Sequence, residues 1–137
     1  FFSWQGIPVF CNEKQVAVTQ TKSISDGLFA TGFSTNDQAR LTGHLSVVKK
    51  VVENSHGIRR HGSAATDLAY VAAGIFDGFF EYGLSAWDVA AGAYLVEQAG
   101  GKVSDYSGKE NFLYGREMLA GNKTVHAELL NILKQNM

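Results

Sequence analysis

The sequence predicts an α/β fold: a layered, mixed and mostly parallel sheet with helices on its faces. Short apolar runs of strand character alternate with helical stretches of about ten residues or more, and this alternation requires crossover connections. The first pair of short strands lies outside the alternation and predicts a β-hairpin of a different sheet. We therefore expect residues 1–22 to be the hairpin remnant of an N-terminal domain, and residues 23–137 to be a C-terminal α/β domain.

Local patterns predict the elements of the first half of the chain. Residues 7–18 alternate apolar and polar side chains around a turn near Asn12–Glu13, which predicts two short strands. Leu28–Thr31 is a short apolar run between glycines and predicts a buried strand. Several possible N-cap residues then occur in succession before a helical pattern from about Asp37 to Asn54. The apolar face of this helix is expected to consist of Leu41, Leu45, Val48 and Val52.

The second half of the chain repeats the alternation of strands and helices. A brief strand at Ile58–His61 precedes a helix of small residues at Ala64–Ala73, and the aromatic run Ile75–Tyr82 predicts the next strand. Ser85 and Asp88 form the [ST]-x-x-[DE] pattern that is typical of a helix start, so a helix follows them. The remaining elements are expected to be strands at Lys102–Ser104 and Met118–Ala120, and a final helix with Thr124 as its N-cap.

The composition excludes several classes of function. A chain of 137 residues that is 45% hydrophobic and 18% charged is typical of a globular protein with a substantial core. The formal charge is −1 and there is no long basic block, so nucleic-acid binding is not expected. No run of about 18 apolar residues occurs, so a membrane span is not expected either. The single cysteine, Cys11, fits a reducing compartment, and we expect a cytoplasmic protein.

Polar residues that could carry chemistry stand where elements begin or end. Ser63 opens one predicted helix, Glu81 ends one predicted strand, and Asp88 opens another helix. In α/β sheets these ends are where ligands bind. Each residue also has a purely structural interpretation: Ser63 as an N-cap, and Asp88 as a first-turn acid that the helix dipole stabilises by about 0.3–1 kcal/mol. The residues alone leave both interpretations open.

The segment GSAATDLAYVAAGIFDGFFEYGLSAWDVAAGAYLVEQAGG resembles the C-terminal signature of the inositol monophosphatase family. It contains, in the family's order, a Gly-Ser-Ala-Ala helix start, a strand that carries Glu81, the pair Trp87–Asp88 and a Gly-Gly end. The similarity extends from the region of Gly6 to the final helix. The resemblance implies the family's C-terminal domain fold and a Mg²⁺-dependent phosphomonoesterase that hydrolyses a polyol or sugar phosphate with a metal-activated water.

The resemblance also implies roles for individual residues. Asp88 falls at the family's catalytic aspartate, which binds Mg²⁺ close to the leaving-group oxygen. Glu81 falls at the position that hydrogen-bonds a substrate hydroxyl. Ser63 and Ala64, the latter through its backbone, fall at positions that line the substrate pocket. Trp87 corresponds to the signature tryptophan, which we expect to pack beside Asp88.

Two motifs of the family are absent from this sequence. The family supplies further metal-binding carboxylates from a Glu-Glu pair and from an Asp-Pro-x-Asp-Gly-Thr loop, whereas Asp26–Gly27 and Asp77–Gly78 are isolated dipeptides that predict turns. We therefore expect this chain to be the C-terminal half of the enzyme and to be inactive alone, with the missing N-terminal half of the same protein as its partner. Apolar surface left uncovered by that half would favour a homo-oligomer.

Two alternatives stay open. A phosphatase of the same superfamily could act instead on a phosphoadenosine nucleotide or on histidinol phosphate. A domain without the missing carboxylates could also be a non-catalytic module for ligand binding or assembly. The four histidines show no zinc-ligand spacing with one another or with Cys11, so a zinc site is not expected.

Overall fold

The fold is organised around a five-stranded mixed sheet with helices on both faces, as the sequence predicts. The computed structural model describes residues 1–137. In chain order the elements are β1 (Val9–Cys11), β2 (Lys14–Val16), a 3₁₀ turn (Ile24–Asp26), β3 (Leu28–Thr31), α1 (Gln38–Glu53), β4 (Gly57–Arg59), α2 (Ala64–Ala72), β5 (Gly78–Tyr82), α3 (Ala86–Gln98), β6 (Lys102–Ser104), β7 (Glu117–Gly121) and α4 (Lys123–Asn136). None of the four helices combines the length and the apolar character needed to cross a membrane.

The strand order of the main sheet is β4-β3-β5-β7-β6. Strand β3 pairs in parallel with β4 and β5, whereas β5–β7 and β6–β7 are antiparallel, so half of the pairings are parallel. Helix α1 connects β3 to β4 on one side, and α2 then connects β4 to β5 on the other side of β3. Because parallel crossovers are right-handed, these opposite directions place α1 and α2 on opposite faces of the sheet.

Each face of the sheet has its own apolar core. Helices α1 and α4 pack together over one face, whose core includes Phe29, Phe80 and Leu119. Helices α2 and α3 pack together over the other face, whose core includes Phe79 and Met118. Successive strand residues point to opposite faces, so in β5 Glu81 follows Phe79 on the α2–α3 side, and Tyr82 follows Phe80 on the α1–α4 side.

The N-terminal hairpin is a two-stranded sheet of its own, as expected. Strands β1 and β2 pair only with each other, apart from an isolated bridge between Phe2 and Phe10. The Phe2 ring stacks on Phe10 at 5.4 Å and on Trp4 at 6.0 Å between centroids. Val9 is fully buried in the α2–α3 core, so the hairpin packs on the larger domain. The division into 1–22 and 23–137 stays a prediction.

The buried face of α1 differs from the prediction. Its buried residues are His44, Val47 and Val51, whereas Leu45 is 48% exposed and Val52 is 52% exposed. The apolar spacing identified the helix correctly, and Val48 packs against the core as expected, but Leu45 and Val52 do not belong to the buried face. The reason is His44, which hydrogen-bonds Thr31 inside the protein and therefore occupies a core position that a hydrophobicity pattern does not count.

Several element boundaries also differ from the prediction. The N-cap of α4 is Asn122, not Thr124: the Asn122 Oδ1 accepts hydrogen bonds from the Thr124 and Val125 amides at 3.0 and 2.9 Å. Strand β5 begins only at Gly78, because the Asp77 carboxylate before it accepts a 2.7 Å hydrogen bond from the Leu28 amide. Strand β4 ends at Arg59, two residues earlier than expected.

Candidate active site

A cleft of about 310 Å³ lies outside the carboxyl ends of the parallel strands and brings together all four residues proposed for the site. Ser63, Ala64, Glu81 and Asp88 all line it. The other lining residues are Gly32, Arg60, Gly62, Ala65, Leu84 and Trp87. Parallel strands direct their carboxyl ends to one edge, and the helices that follow β4 and β5 begin at that same edge. The topology therefore explains the convergence.

Asp88 combines the two interpretations that the sequence left open. It lies in the first turn of α3, and its Oδ2 accepts a 2.8 Å hydrogen bond from the Ser85 amide, as in a capping box. The same side chain is half-buried in the wall of the cleft. Its Oδ1 has no hydrogen bond within the protein, so one carboxylate oxygen is available to a ligand.

Glu81 lies near the end of β5, and its pKa is raised to about 7. Burial is the main cause, because it disfavours the charged form, and the negative charge of Asp67 raises the pKa further. The Arg60 guanidinium opposes these effects, and Asp88 adds a smaller increase. Gly32 leaves the space for this carboxylate, since a Cβ at position 32 would collide with it. Glu81 therefore changes charge near neutral pH inside the cleft.

Ser63 is the N-cap of α2, which is the structural role that the sequence allowed for it. Its Oγ accepts hydrogen bonds from the Thr66 amide at 3.3 Å and from the Thr66 hydroxyl at 3.1 Å. The next residues, Ala64 and Ala65, line the cleft, and amides of a first helical turn have no partner within the helix. The start of α2 thus presents backbone donors to the cleft, together with the Ser63 hydroxyl proton.

Trp87 does not pack beside Asp88 in the way that the sequence suggested. Its side chain lines the cleft, but the residue is 84% exposed, the highest exposure among the large apolar residues exposed on the chain. The indole lies in the first turn of α3 on the side away from the α2–α3 core. It therefore forms the rim of the cleft.

One pair of residues next to the cleft escaped the sequence interpretation. The Nδ1 atom of His61 lies 2.9 Å from the Oδ1 of Asp67, which is only 1% exposed. The sequence indicated no functional role for His61. A signal was present: Asp67 interrupts an otherwise apolar helix face, and a buried carboxylate needs a partner.

One carboxylate of the cleft has the chemistry of a ligand for a divalent cation. Mg²⁺ in proteins is bound by one or two carboxylates, with water and phosphate oxygens completing the shell. The unpaired Oδ1 of Asp88 fits this chemistry. The chain has no group of three or more His, Cys, Asp or Glu residues placed to hold a metal ion. Asp88 thus suits the role of a single ligand, and a cluster of metals would require further carboxylates.

Comparison with known proteins identifies the family. The sequence model described as the inositol monophosphatase family matches residues 1–137. The chain belongs to the inositol monophosphatase family. This confirms the resemblance seen in the segment that runs from the Gly-Ser-Ala-Ala helix start to the Gly-Gly end.

Some relatives in this family are named Nus factors, and another is named an inositol monophosphatase. The chain is 40% identical over 139 residues to the Nus factor SuhB of Pseudomonas aeruginosa, with 100% of this chain and 51% of that protein covered. It is 39% identical over 131 residues to the inositol-1-monophosphatase of Mesorhizobium japonicum, with 96% of this chain and 49% of that protein covered. The chain spans about half the length of the curated relatives that it matches.

Solved structures show the same fold. The extragenic suppressor protein suhB from Bartonella henselae superimposes with a TM-score of 0.92 at 36% identity, over 98% of this chain and 52% of that chain. Inositol monophosphatase from Anabaena superimposes with a TM-score of 0.87 at 36% identity, over 96% of this chain and 52% of that chain. The α/β architecture predicted from the sequence is therefore the family's architecture.

Proposed function

We propose that this chain forms the leaving-group side of the active site in a Mg²⁺-dependent phosphomonoesterase that acts on a polyol or sugar phosphate. The observation that carries the proposal is the convergence of Asp88, Glu81 and the start of α2 in one cleft. A carboxylate with a free oxygen, a carboxyl group that titrates near pH 7 and a set of backbone donors together suit an alcohol with an attached phosphate.

Asp88 is proposed as the catalytic residue of this chain and as its metal ligand, through Oδ1. Oδ2 stays on the Ser85 amide, which holds the carboxylate at the helix start while the other oxygen faces the ligand. A bound Mg²⁺ would supply charge neutralisation and a more acidic water. The residue thereby links the position of the cation to the rigid N-terminus of α3.

Glu81, Ser63 and Ala64 are proposed to bind the alcohol part of the substrate. An ionised Glu81 accepts a hydrogen bond from a substrate hydroxyl, and a protonated Glu81 donates one. The Ala64 amide donates to a substrate oxygen, and the Ser63 hydroxyl can do the same because its own acceptor sites are engaged by Thr66. These contacts would hold the ester bond near the metal-binding carboxylate.

The family's additional carboxylates are proposed to come from the N-terminal half of the same protein. On this proposal the isolated 137-residue chain binds Mg²⁺ weakly and has no turnover. The complete enzyme is proposed to be a cytoplasmic homo-oligomer, a proposal supported by the exposed aromatic residues of the N-terminal segment, Phe1, Phe2 and Trp4. A monodisperse monomer in light scattering would contradict the assembly.

A nucleotide substrate is a second candidate, supported by two side chains of the cleft. A phosphoadenosine nucleotide would use a cation for an additional phosphate and an aromatic surface for the base. Arg60 and the exposed Trp87 both line the cleft and have these properties. Hydrolysis rates for inositol 1-phosphate, a phosphoadenosine nucleotide and histidinol phosphate would separate these candidates.

A non-catalytic role is the candidate from another class. Several relatives at 36–40% identity are named Nus factors or putative Nus factors, and we propose a Nus factor role, with or without phosphatase activity, as this candidate. Tight binding of inositol phosphate without turnover would favour a binding module. Binding accompanied by Mg²⁺-dependent turnover would favour the enzyme.

The decisive experiment compares Asp88→Asn with Glu97→Gln in the protein that the gene encodes. Glu97 is an exposed carboxylate on the same helix and serves as the matched control. We expect Asp88→Asn to reduce Mg²⁺-dependent phosphate release from inositol 1-phosphate by about a hundredfold or more, and Glu97→Gln to leave it unchanged. The amide can still accept from Ser85, so the melting temperature should change little.

Two results would contradict the proposal. Unchanged hydrolysis by Asp88→Asn would remove Asp88 from catalysis, and absence of hydrolysis in the unmodified protein would favour the non-catalytic candidate. The 137-residue chain is assayed in parallel. Mg²⁺-dependent turnover by that chain alone, lost in Asp88→Asn, would show that the proposed inactivity of the isolated chain is wrong.

A further inference from the structure

His61 and Asp67 form a hydrogen-bonded pair at the back of the loop that leads into α2. The Nδ1 of His61 lies 2.9 Å from the Oδ1 of Asp67. When Asp67 is ionised, its carboxylate can only accept, and His61 Nδ1 is then the donor. Asp67 is 1% exposed, and its Oδ2 has no hydrogen bond. For Asp67, His61 is therefore the only side-chain partner in the structure.

Aromatic contacts fix the His61 ring as well. The ring meets Tyr70 edge-on, with centroids 5.7 Å apart and planes at 87°, and lies against Phe76 at 5.3 Å. Tyr70 belongs to α2, and Phe76 lies in the loop just before β5. Both contacts and the hydrogen bond hold the imidazole against the body of the domain.

The loop that carries His61 has few other restraints. It runs from Arg60 to Ser63, between the end of β4 and the start of α2. Outside the helices and strands, no backbone hydrogen bond involves Arg60, His61 or Gly62. Gly62 adopts a φ of 84°, which lets the chain turn sharply into the helix. The side chain of His61 is thus the main anchor of residues 60–62, whereas Ser63 is held by its capping bonds to Thr66 and by the Asp67 amide, which donates to its carbonyl.

The residues on both sides of this anchor line the cleft. Arg60 precedes His61, and Gly62, Ser63 and Ala64 follow it, and all four contribute to the cleft wall. A displacement of His61 would therefore move Arg60 and Gly62 and reshape the cleft wall next to the backbone donors at the start of α2, while Ser63 keeps its own bonds to Thr66 and Asp67. Asp88 begins a different helix and would keep its own capping interaction with Ser85.

We propose that His61 and Asp67 are a positioning pair that holds the loop 60–63 against α2 and thereby sets the affinity of the cleft for the alcohol part of the substrate. This inference rests on the proposed function, and it names His61 and Asp67 as residues that determine which alcohol the cleft prefers. Neither side chain of the pair lines the cleft, and neither hydrogen-bonds Asp88. Its removal changes recognition of a polyol and spares the reaction at phosphorus.

The experiment uses two phosphate esters that differ in their leaving groups. Inositol 1-phosphate has hydroxyls that Ser63, Ala64 and Glu81 can contact, whereas p-nitrophenyl phosphate has none. His61→Ala and Asp67→Ala are expected to raise KM for inositol 1-phosphate about tenfold with little change in kcat, which corresponds to the loss of one charge-assisted hydrogen bond. KM for p-nitrophenyl phosphate should stay within about twofold.

Three further variants make the test specific. The double variant His61→Ala/Asp67→Ala should be no worse than either single variant, because residues of one pair are not additive. Asp67→Asn keeps a hydrogen-bond acceptor for His61, so its KM for inositol 1-phosphate should equal that of the unmodified protein when both are measured at about pH 8.5. At this pH Glu81 is ionised whether or not Asp67 carries a charge, so the variant does not act through Glu81. His56→Ala, which removes an exposed histidine outside the cleft, is the matched control.

The outcomes separate this inference from the proposed function. Three results would overturn the positioning role. They are equal changes in KM for both esters, additive effects on KM in the double variant, and a KM for His61→Ala equal to that of His56→Ala. If Asp67→Ala fails to fold, His61→Ala still tests the inference. The His61 side chain is 40% exposed, so its removal should leave the protein folded. An unmodified protein that hydrolyses neither ester refutes the proposed function before any variant is compared, and the inference is refuted with it.

Discussion

The face of the sheet beneath α1 and α4 buries two histidines in a neutral form, whereas the face beneath α2 and α3 ends in acidic groups at an open cleft. His44 and His126 are 0% and 1% exposed, and each has a hydroxyl neighbour: Thr31 at 3.1 Å and Ser104 at 2.9 Å. Burial lowers the pKa of both histidines to about 4. They are therefore uncharged at neutral pH.

Burial acts in the opposite direction on the carboxyl groups of the other face. It raises the pKa of Asp67 and raises that of Glu81 to about 7. In both places desolvation disfavours charge, and in the cleft the carboxyl groups of Asp67 and Asp88 raise the pKa of Glu81 further. The comparison indicates that the core beneath α1 and α4 stabilises the fold. At the edge beside α2 and α3, the buried carboxyl groups destabilise the folded state when they ionise, and such groups are typical of ligand-binding sites.

The largest expected difference between the two regions is in the effect of removing an aromatic side chain. Phe80 is fully buried on the α1–α4 side, with its ring 5.3 Å from that of His44. Phe80→Ala should lower the free energy of unfolding by about 3–5 kcal/mol, and Trp87→Ala should change it by less than about 0.5 kcal/mol. Urea unfolding monitored by circular dichroism measures both. Comparable losses would mean that Trp87 is packed.

The buried histidines should make the protein sensitive to mild acid. Their folded pKa of about 4 lies below the ordinary value of 6.5, so the unfolded state takes up protons first and stability falls as pH decreases from 6.5 to 4. We expect about 2–3 kcal/mol per histidine across this range. Urea unfolding of His44→Gln/His126→Gln should show a flatter pH dependence. His56→Gln is the control, and a slope equal in both variants would contradict the assignment.

A smaller effect of opposite sign is expected at the cleft. Because the pKa of Glu81 is raised from 4.5 to about 7, ionisation destabilises the folded state increasingly from pH 4.5 to 7 and fully above that range. Glu81→Gln should therefore raise the free energy of unfolding by about 1–2 kcal/mol at about pH 8, a value reduced for partial exposure, and have no effect at about pH 4. Glu97→Gln should have no such effect. A gain that is independent of pH would exclude desolvation of Glu81 as its cause.

Much of the fold and of the candidate site was predictable because local chemistry decides it. Glycines, N-caps and apolar spacing predicted every helix and strand of the chain to within a few residues. The grouping of Ser63, Glu81 and Asp88 was predictable because all three stand at element ends on one edge of the sheet. Their individual roles came from the family resemblance, since the residues alone were equally consistent with capping.

The errors share a different physical origin. The buried face of α1 was predicted only in part, because a hydrogen bond to Thr31 makes His44 a core residue. The cap of α4 was assigned to Thr124, although Asn122 also donates to the Thr19 hydroxyl and the Thr21 carbonyl, more than 100 positions away in the chain. In both cases a polar side chain is placed by a partner that is remote in the sequence.

The sequence by itself determined the class of fold, the order of the elements and the residues that could meet at the cleft, because steric preferences and apolar periodicity act over a few neighbouring residues. Only the tertiary structure decided the strand order β4-β3-β5-β7-β6, the raised pKa of Glu81 and the pairing of His61 with Asp67. These properties depend on which surfaces are brought together and on how far each group is removed from water, and neither is encoded in a local pattern.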